Sequence, residues 1–235
     1  MTFRLIYEIE PPRVPDLRKI HSQIEIFGPL IDAVLVPDNH LGRPALSSVA
    51  IALELKRAGV DPIVALNARD RNHLRFASDL MTMKAYGLNE VVFLYGDPID
   101  SGRTGLKVRQ MLAHPEAQGI RRGVAANIGN KLGWRSEADF FMTQLAFGRG
   151  KPGYWREAHG FSQPLYCGVI ALRDREIARK IVGNIPGLQT PPGYLESFDH
   201  DPDAGFKMAL TELSELRDSG VDGAQLVVPT GRKRF

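Results

Sequence analysis

The feature that most constrains this chain is a rhythm of short apolar runs alternating with longer stretches of helical periodicity. The runs are Phe3–Glu8, Ile31–Val36, Pro62–Leu66, Glu90–Leu94, Gly123–Ala126, Ala138–Thr143, Leu165–Ile170 and Gly223–Val228. Most are almost continuously apolar, as strands buried on both faces must be. Between them, Ala45–Ala58 carries Leu46, Val49, Ala50, Leu53 and Leu55 near helical spacing and stops at Gly59. Asp70–Tyr86 does the same with Leu74, Ala77, Leu80, Met81 and Ala85, stopping at Gly87. Phe206–Arg217 follows suit shortly before Gly220. A glycine just past the last periodic residue is a helix stop.

Eight strands alternating with helices predict an α/β fold, the (β/α)₈ TIM barrel. The rival is a doubly wound open sheet. No Gly-x-Gly-x-x-Gly follows the first strand and no Gly-Lys-Ser/Thr phosphate loop is present, which favours the barrel. With 235 residues, 43% of them hydrophobic, the chain can build one large core and not two comfortable ones. A single barrel domain over 1–235 is expected. Its last helix is missing or very short after Val228, and 229–235 form a short basic tail.

The net charge of +3 is mixed along the chain, with one basic cluster, Arg232-Lys233-Arg234, read as solvated tail. No aromatic-plus-basic pattern for nucleic acid occurs. The lone cysteine, Cys167, sits in an apolar run, so no disulfide can form within the chain, an inert buried thiol is expected, and a reducing cytoplasm fits. No signal peptide and no membrane span are expected. The histidines His21, His40, His73, His114, His159 and His200 show no metal-ligand spacing, so no metal site is expected. No Gly-x-Ser-x-Gly elbow is present.

In such a barrel the chemistry sits at the carboxyl ends of the strands. Those ends read Glu8; Asp38 and Asn39; Asn67, Arg69 and Asp70; Tyr95 and Asp97; Asn127; and Gln144. Glu8, Asp97 and Gln144 sit directly against apolar strand residues. Glu8 closes the first strand, and Pro11-Pro12 fix the backbone just beyond it. Held in a partly apolar site, its carboxyl is expected to titrate high enough to keep part of it protonated near neutral pH, as a general acid must be. Glu10 competes for that role, and an ion pair with Arg13 is the bland alternative for Glu8. Gly96-Asp97-Pro98 is either a plain turn or a place where Gly96 admits a flat ligand that Asp97 binds. The Gln144 amide offers donor and acceptor to a heterocycle edge. Asp70 is a fair helix cap, and the arginines around it can simply pair with carboxylates. The loop Phe147–Gly153 is a lid over an anionic ligand or only a linker.

Three ordered segments then resemble the methylenetetrahydrofolate reductase family. Glu8-Ile9-Glu10-Pro11-Pro12-Arg13 is similar to the family's opening Phe-Glu-Phe-Phe-Pro-Pro-Arg. Ala68-Arg69-Asp70-Arg71-Asn72, followed by Gly87, Asn89 and Gly96-Asp97-Pro98, resembles its Cys-Arg-Asp-Arg-Asn to Gly-Asp-Pro stretch. Ala138-Asp139-Phe140-Phe141-Met142-Thr143-Gln144 resembles its Gly-Ala-Asp-Phe-x-x-Thr-Gln strand. Gly168-Val169, Ile185-Pro186-Gly187 and Pro191-Pro192 also fit. The resemblance implies a barrel that reduces 5,10-methylenetetrahydrofolate to 5-methyltetrahydrofolate. Glu8 would be the acid that opens the imidazolidine ring. Asp97 would contact the pterin and steady the cationic intermediate. Gln144 would bind the pterin, with Asn67, Arg69 and Asp70 on the substrate side and Tyr95 and Asn127 on the cofactor side.

The departures from the family concern its flavin. Its third-strand histidine is Ile63, the arginine often found before Gly-Asp is Tyr95, a lysine ahead of the strand-six glutamine aligns with Gly133, and Tyr-Pro-Glu-x-His reads Ala126-Asn127-Ile128-Gly129. A flavin's charged diphosphate would lose several charge-assisted contacts. The expectation is hydride transfer from NADH (or NADPH) straight to the substrate, with FAD lost or weakly held. The alternatives are an FAD-dependent enzyme using unfamiliar contacts, a folate-binding barrel or partner subunit without chemistry, and an unrelated barrel lyase, which the lack of a strand-end lysine disfavours.

Overall fold

The computed structural model describes residues 2–39, 42–97, 105–145, 151–184 and 190–229, with the side chains of 151 and 182–184 excepted. Pro98, Phe147 to Gly150 of the expected lid, Ile185-Pro186-Gly187, His40 and Arg232-Lys233-Arg234 lie outside the described residues.

The strands are β1 (Arg4–Glu8), β2 (Ala33–Val36), β3 (Pro62–Asn67), β4 (Glu90–Leu94), β5 (Arg121–Ala126), β6 (Phe140–Leu145), β7 (Leu165–Ile170) and β8 (Gly223–Val227). All neighbours are parallel, and β8 pairs with β1 to close an eight-stranded barrel in chain order. This is a TIM barrel. Helices on its outside are α1 (Arg18–Phe27), α2 (Ser48–Arg57), α3 (His73–Ala85), α4 (Val108–Leu112), α5 (Lys151–His159), α6 (Arg175–Asn184), α7 (Tyr194–Ser197) and α8 (Ala204–Asp218). The β5–β6 connection carries only a 3₁₀ turn, Gly133–Glu137. Among the described residues no helix follows β8.

Alternation along each strand sorts the core into two layers. Tyr7, Val34, Val36, Val64, Leu66, Val91, Phe93, Val124, Phe141 and Val169 face outward and pack beneath the helices. Ile6, Ala33, Leu35, Ile63, Ala65, Val92, Phe140, Met142 and Tyr166 fill the barrel interior. Burial of this continuous apolar area, at about 25 cal/mol per Å², is what closes the sheet.

The expected glycine stops hold: Gly59, Gly87 and Gly220 each take a left-handed φ just past a helix. The cap of α3 differs from expectation. Asp70 lies outside the helix, and Asn72 caps it by accepting from the Arg75 amide at 2.8 Å. The reason is that Asp70 is already tied to its own strand end, as described next.

Candidate functional site at the carboxyl ends of the strands

Inward alternation fixes which strand-end side chains can meet. On β1 the interior positions are Arg4, Ile6 and Glu8, so Glu8 lies one layer above Ile6, half-buried at the barrel mouth. Its carboxylate accepts from Nε2 of Gln225 on β8. Gln225 sits opposite Ile6 in the β1–β8 register, and Glu8 opposite Val227. Glu10, the competing acid, is exposed and pairs with Lys19 at 2.8 Å. The fork is set by Gln23 of α1. Its buried amide accepts from the Glu10 backbone N–H at 2.8 Å and from the Tyr7 hydroxyl at 2.9 Å, and donates to the Glu10 carbonyl at 3.1 Å. That clamp holds the Glu10 backbone against α1 and leaves Glu8 as the β1 acid at the barrel mouth.

The β3 end is a locked polar cluster. Asn67, 1% exposed, donates through Nδ2 to Asp38 and to Asp70 at 2.9 Å, and its Oδ1 accepts from the Asp70 amide at 2.9 Å. Asn39 adds a bond to Asp70 at 3.0 Å. Asp38 in turn accepts from the Asn67 amide at 2.8 Å and from Arg71, whose Nε reaches Asp79 at 2.9 Å. Arg75 pairs with Asp79 at 2.9 Å. Burial pushes the Asp38 carboxyl up, against the opposing pull of Arg71. The arginine–carboxylate reading of this segment therefore holds for Arg71. Arg69 is half-buried and Asp70 exposed on the same rim.

Gly96 follows β4 with φ +83°, and a Cβ there would lie 3.1 Å from the Asn67 side chain. Close packing on Asn67 thus accounts for this glycine, and it delivers Asp97 exposed on the rim. Tyr95, 54% exposed, and Asn127, exposed just after β5, stand on the same carboxyl-terminal side. On β6 the ladder to β7 slips between Met142 and Leu145. Such a bulge re-aims side chains next to sites. Gln144 lies in it, exposed, its Oε1 accepting from the Leu145 amide at 3.2 Å. Gly168 opposite makes the slip possible, since a Cβ would stand 2.9 Å from the Leu145 nitrogen. Glu8, Asn67, Arg69, Asp70, Tyr95, Asp97, Asn127 and Gln144 thus all lie at one end of the barrel. Gln225 is the member that sequence reasoning missed.

No protein-family model and no curated sequence matches the chain. Solved structures do. One, an uncharacterized protein from Clostridium thermocellum that binds two copies of 5-methyl-5,6,7,8-tetrahydrofolic acid, shares 15% identity and a TM-score of 0.67 over 98% of this chain and 91% of its own. Tryptophan synthase from M. tuberculosis, in its aminoacrylate-bound form, matches at 15% identity and a TM-score of 0.51, covering 93% of each chain. At such identities the likeness is one of fold.

Elsewhere, Cys167 is buried and its thiol is pushed up to about 12, chiefly by burial. A groove of about 510 Å³ between Lys131–Ser136 and His159–Gln163 contains none of the strand-end set. Among the described residues no helix is long and apolar enough to cross a membrane, and no group of three or more His, Cys, Asp or Glu could hold a metal.

Proposed function

We propose that this barrel binds a reduced folate at its carboxyl-terminal rim and reduces 5,10-methylenetetrahydrofolate to 5-methyltetrahydrofolate. The observation that carries the reading is Glu8, an acid on an interior position at the barrel mouth with an amide for a partner. The folate named for the Clostridium thermocellum neighbour, a barrel similar over 98% of this chain, supports the ligand class. The ordered resemblance to the reductase family supports the reaction.

In that reading Glu8 gives its proton to the ring nitrogen that leaves. The carbon–nitrogen bond breaks and an exocyclic iminium forms. Asp97 faces the growing positive charge, which a fixed anion stabilises most where water is excluded. Gln144 pairs with the pterin edge, and Asn67, Arg69 and Asp70 shape the substrate side of the rim. Tyr95 and Asn127 would hold NADH, or NADPH, which would supply the hydride that reduces the iminium carbon and would leave as the oxidised nicotinamide.

The family's flavin does not suit the residues present, and no step is routed through it. Where the family resemblance calls for a histidine, β3 places Ile63, fully buried in the apolar interior. Gly133 offers no cation where a lysine is expected. Arg71, a strand-end arginine, is committed to Asp38 and Asp79.

The test is NADH oxidation by flavin-free protein supplied with methylenetetrahydrofolate, with and without added FAD. Turnover without FAD is expected, and Glu8→Gln should cut it by about 10²–10⁴-fold. A stoichiometric flavin absorbance band in the purified protein removes the flavin-free step. A Glu8→Gln variant as active as wild type removes the acid.

A further inference from the structure

Gln225 is the interior side chain of β8 one step below the mouth, level with Ile6, where an apolar residue would have served the core. Its flanking residues Ala224 and Leu226 face the outer layer. Instead an amide is placed there, half-buried, with Nε2 on a Glu8 carboxylate oxygen. Both residues are held by backbone, since Arg4 through Glu8 pair residue by residue with Gly223 through Val227. The contact is therefore a product of barrel closure and not of a mobile loop.

We propose that Gln225 is the positioning residue for Glu8, holding its carboxyl aimed into the barrel mouth in both of its protonation states. This rests on the reading of Glu8 as the proton donor. An amide is the side chain suited to the task. It donates to an ionised carboxylate through its nitrogen and, turned over, accepts from a carboxylic acid through its oxygen. A lysine or arginine could only favour the ion, and an aliphatic residue would hold neither form. The charge-assisted contact is the stronger of the two. Gln225 consequently favours the ionised form, so that the proton is held loosely enough to be given away.

Several charged groups on neighbouring elements have partners of their own. Arg4, two layers beneath, binds Glu90 at 2.8 Å; Glu10 pairs with Lys19; Asp38 beyond β2 is gripped by Arg71. β8 carries no charged residue from Gly223 to Val227, and the outward Tyr7 is held up mainly by burial. The Gln225 amide is the contact on Glu8 that a substitution on β8 can alter.

The experiment uses Gln225→Met, which keeps the volume and loses the amide, and Gln225→Glu, which sets a second carboxyl beside the first. Folding is checked by circular dichroism. The Glu8 carboxyl carbon is followed by NMR through a pH titration in wild type and both variants. The titration midpoint should rise in Gln225→Met and rise further in Gln225→Glu, where like charges cannot both ionise freely. In the reductase assay Gln225→Met should lose about tenfold to a hundredfold in kcat, with KM little changed and the pH–rate limb moved the same way as the NMR midpoint. An unchanged Glu8 midpoint in both variants overturns the proposal. So does a loss seen in KM alone with the pH profile unmoved. If wild type shows no folate-dependent NADH oxidation, the proposed function fails by itself, while the titration still reports whether Gln225 governs Glu8.

Discussion

Replacing Arg71 by methionine removes a guanidinium whose side chain is 9% exposed and which lies between two carboxylates, Asp38 and Asp79, each 4% exposed. Taking one partner from a buried ion pair costs about 3–5 kcal/mol, because a desolvated charge is left behind. Partial compensation exists here. Asp79 keeps Arg75 at 2.9 Å, and Asp38 keeps two bonds from Asn67 at 2.8 Å. The expected cost is therefore near the lower bound, about 3 kcal/mol, a large share of the roughly 5–15 kcal/mol that folds a typical domain. Equilibrium urea unfolding of Arg71→Met against wild type measures it. Adding Asp38→Asn and Asp79→Asn should recover most of the loss, since neutral partners no longer carry the desolvation penalty. The damage should also reach the rim, because Asp38 holds Asn67, and Asn67 packs on Gly96 just ahead of Asp97. A cost of less than about 1 kcal/mol, the range of solvent-screened pairs, would refute the reasoning. A triple variant no better than the single one would shift the explanation to packing of the arginine stem.

Gly168→Ala should cost about 1–3 kcal/mol by overpacking, since the new Cβ would stand 2.9 Å from the Leu145 nitrogen and 3.1 Å from the Gln144 carbonyl carbon, backbone that cannot swing aside. Urea unfolding reads the cost, and in the proposed function folate affinity by isothermal titration should fall with it as Gln144 is displaced; an unaffected variant would mean that β6 does not need its bulge. Stability should decline in alkali. Burial pushes the Cys167 thiol and the Tyr194 hydroxyl each up to about 12 and raises Tyr7 as well. The unfolded chain releases these protons first, from about pH 8.5 for a thiol, so it binds fewer protons than the native state and stability falls as pH rises through that window. Thermal midpoints between neutral and strongly alkaline pH check this, and Cys167 should resist iodoacetamide until the protein unfolds; a flat profile or a freely reactive native thiol contradicts it.

The strands were legible because parallel strands buried on both faces leave apolar runs. Their edges were less so. β3 extends to Asn67, whose amide donates to Asp38 and whose ladder partner is Leu94, contacts made by distant segments. β6 runs on to Leu145 through a slip that its own residues do not announce. α1 escaped notice because its core face holds a glutamine, Gln23, among Ile20, Ile24 and Phe27; the polar residue is there to clamp Glu10. The acids at the rim were readable from their place after apolar runs. Gln225 was not, since an amide within Gly223–Val228 is mute about facing until the register with β1 sets it beside Glu8. Barrel closure joins the first strand to the last, and no local pattern carries that information.

The two ends of the barrel interior show why strand-end acids differ in what they can do. At the amino-terminal end, Glu90 lies between Arg4 at 2.8 Å and Arg121 at 2.6 Å, and Arg121 also donates to the Tyr166 hydroxyl at 3.2 Å and lies 4.8 Å from the centre of the Phe140 ring. Opposite charges meet there and form a floor, so the acid serves the fold. At the mouth, Glu8 meets a neutral amide that can serve it with or without its proton. The same residue type, two strand layers apart, is a structural ion in one place and, in the proposed function, a proton carrier in the other. The chemistry of its partner separates the two roles: a guanidinium commits a carboxylate to its charge, and an amide leaves the proton free to move.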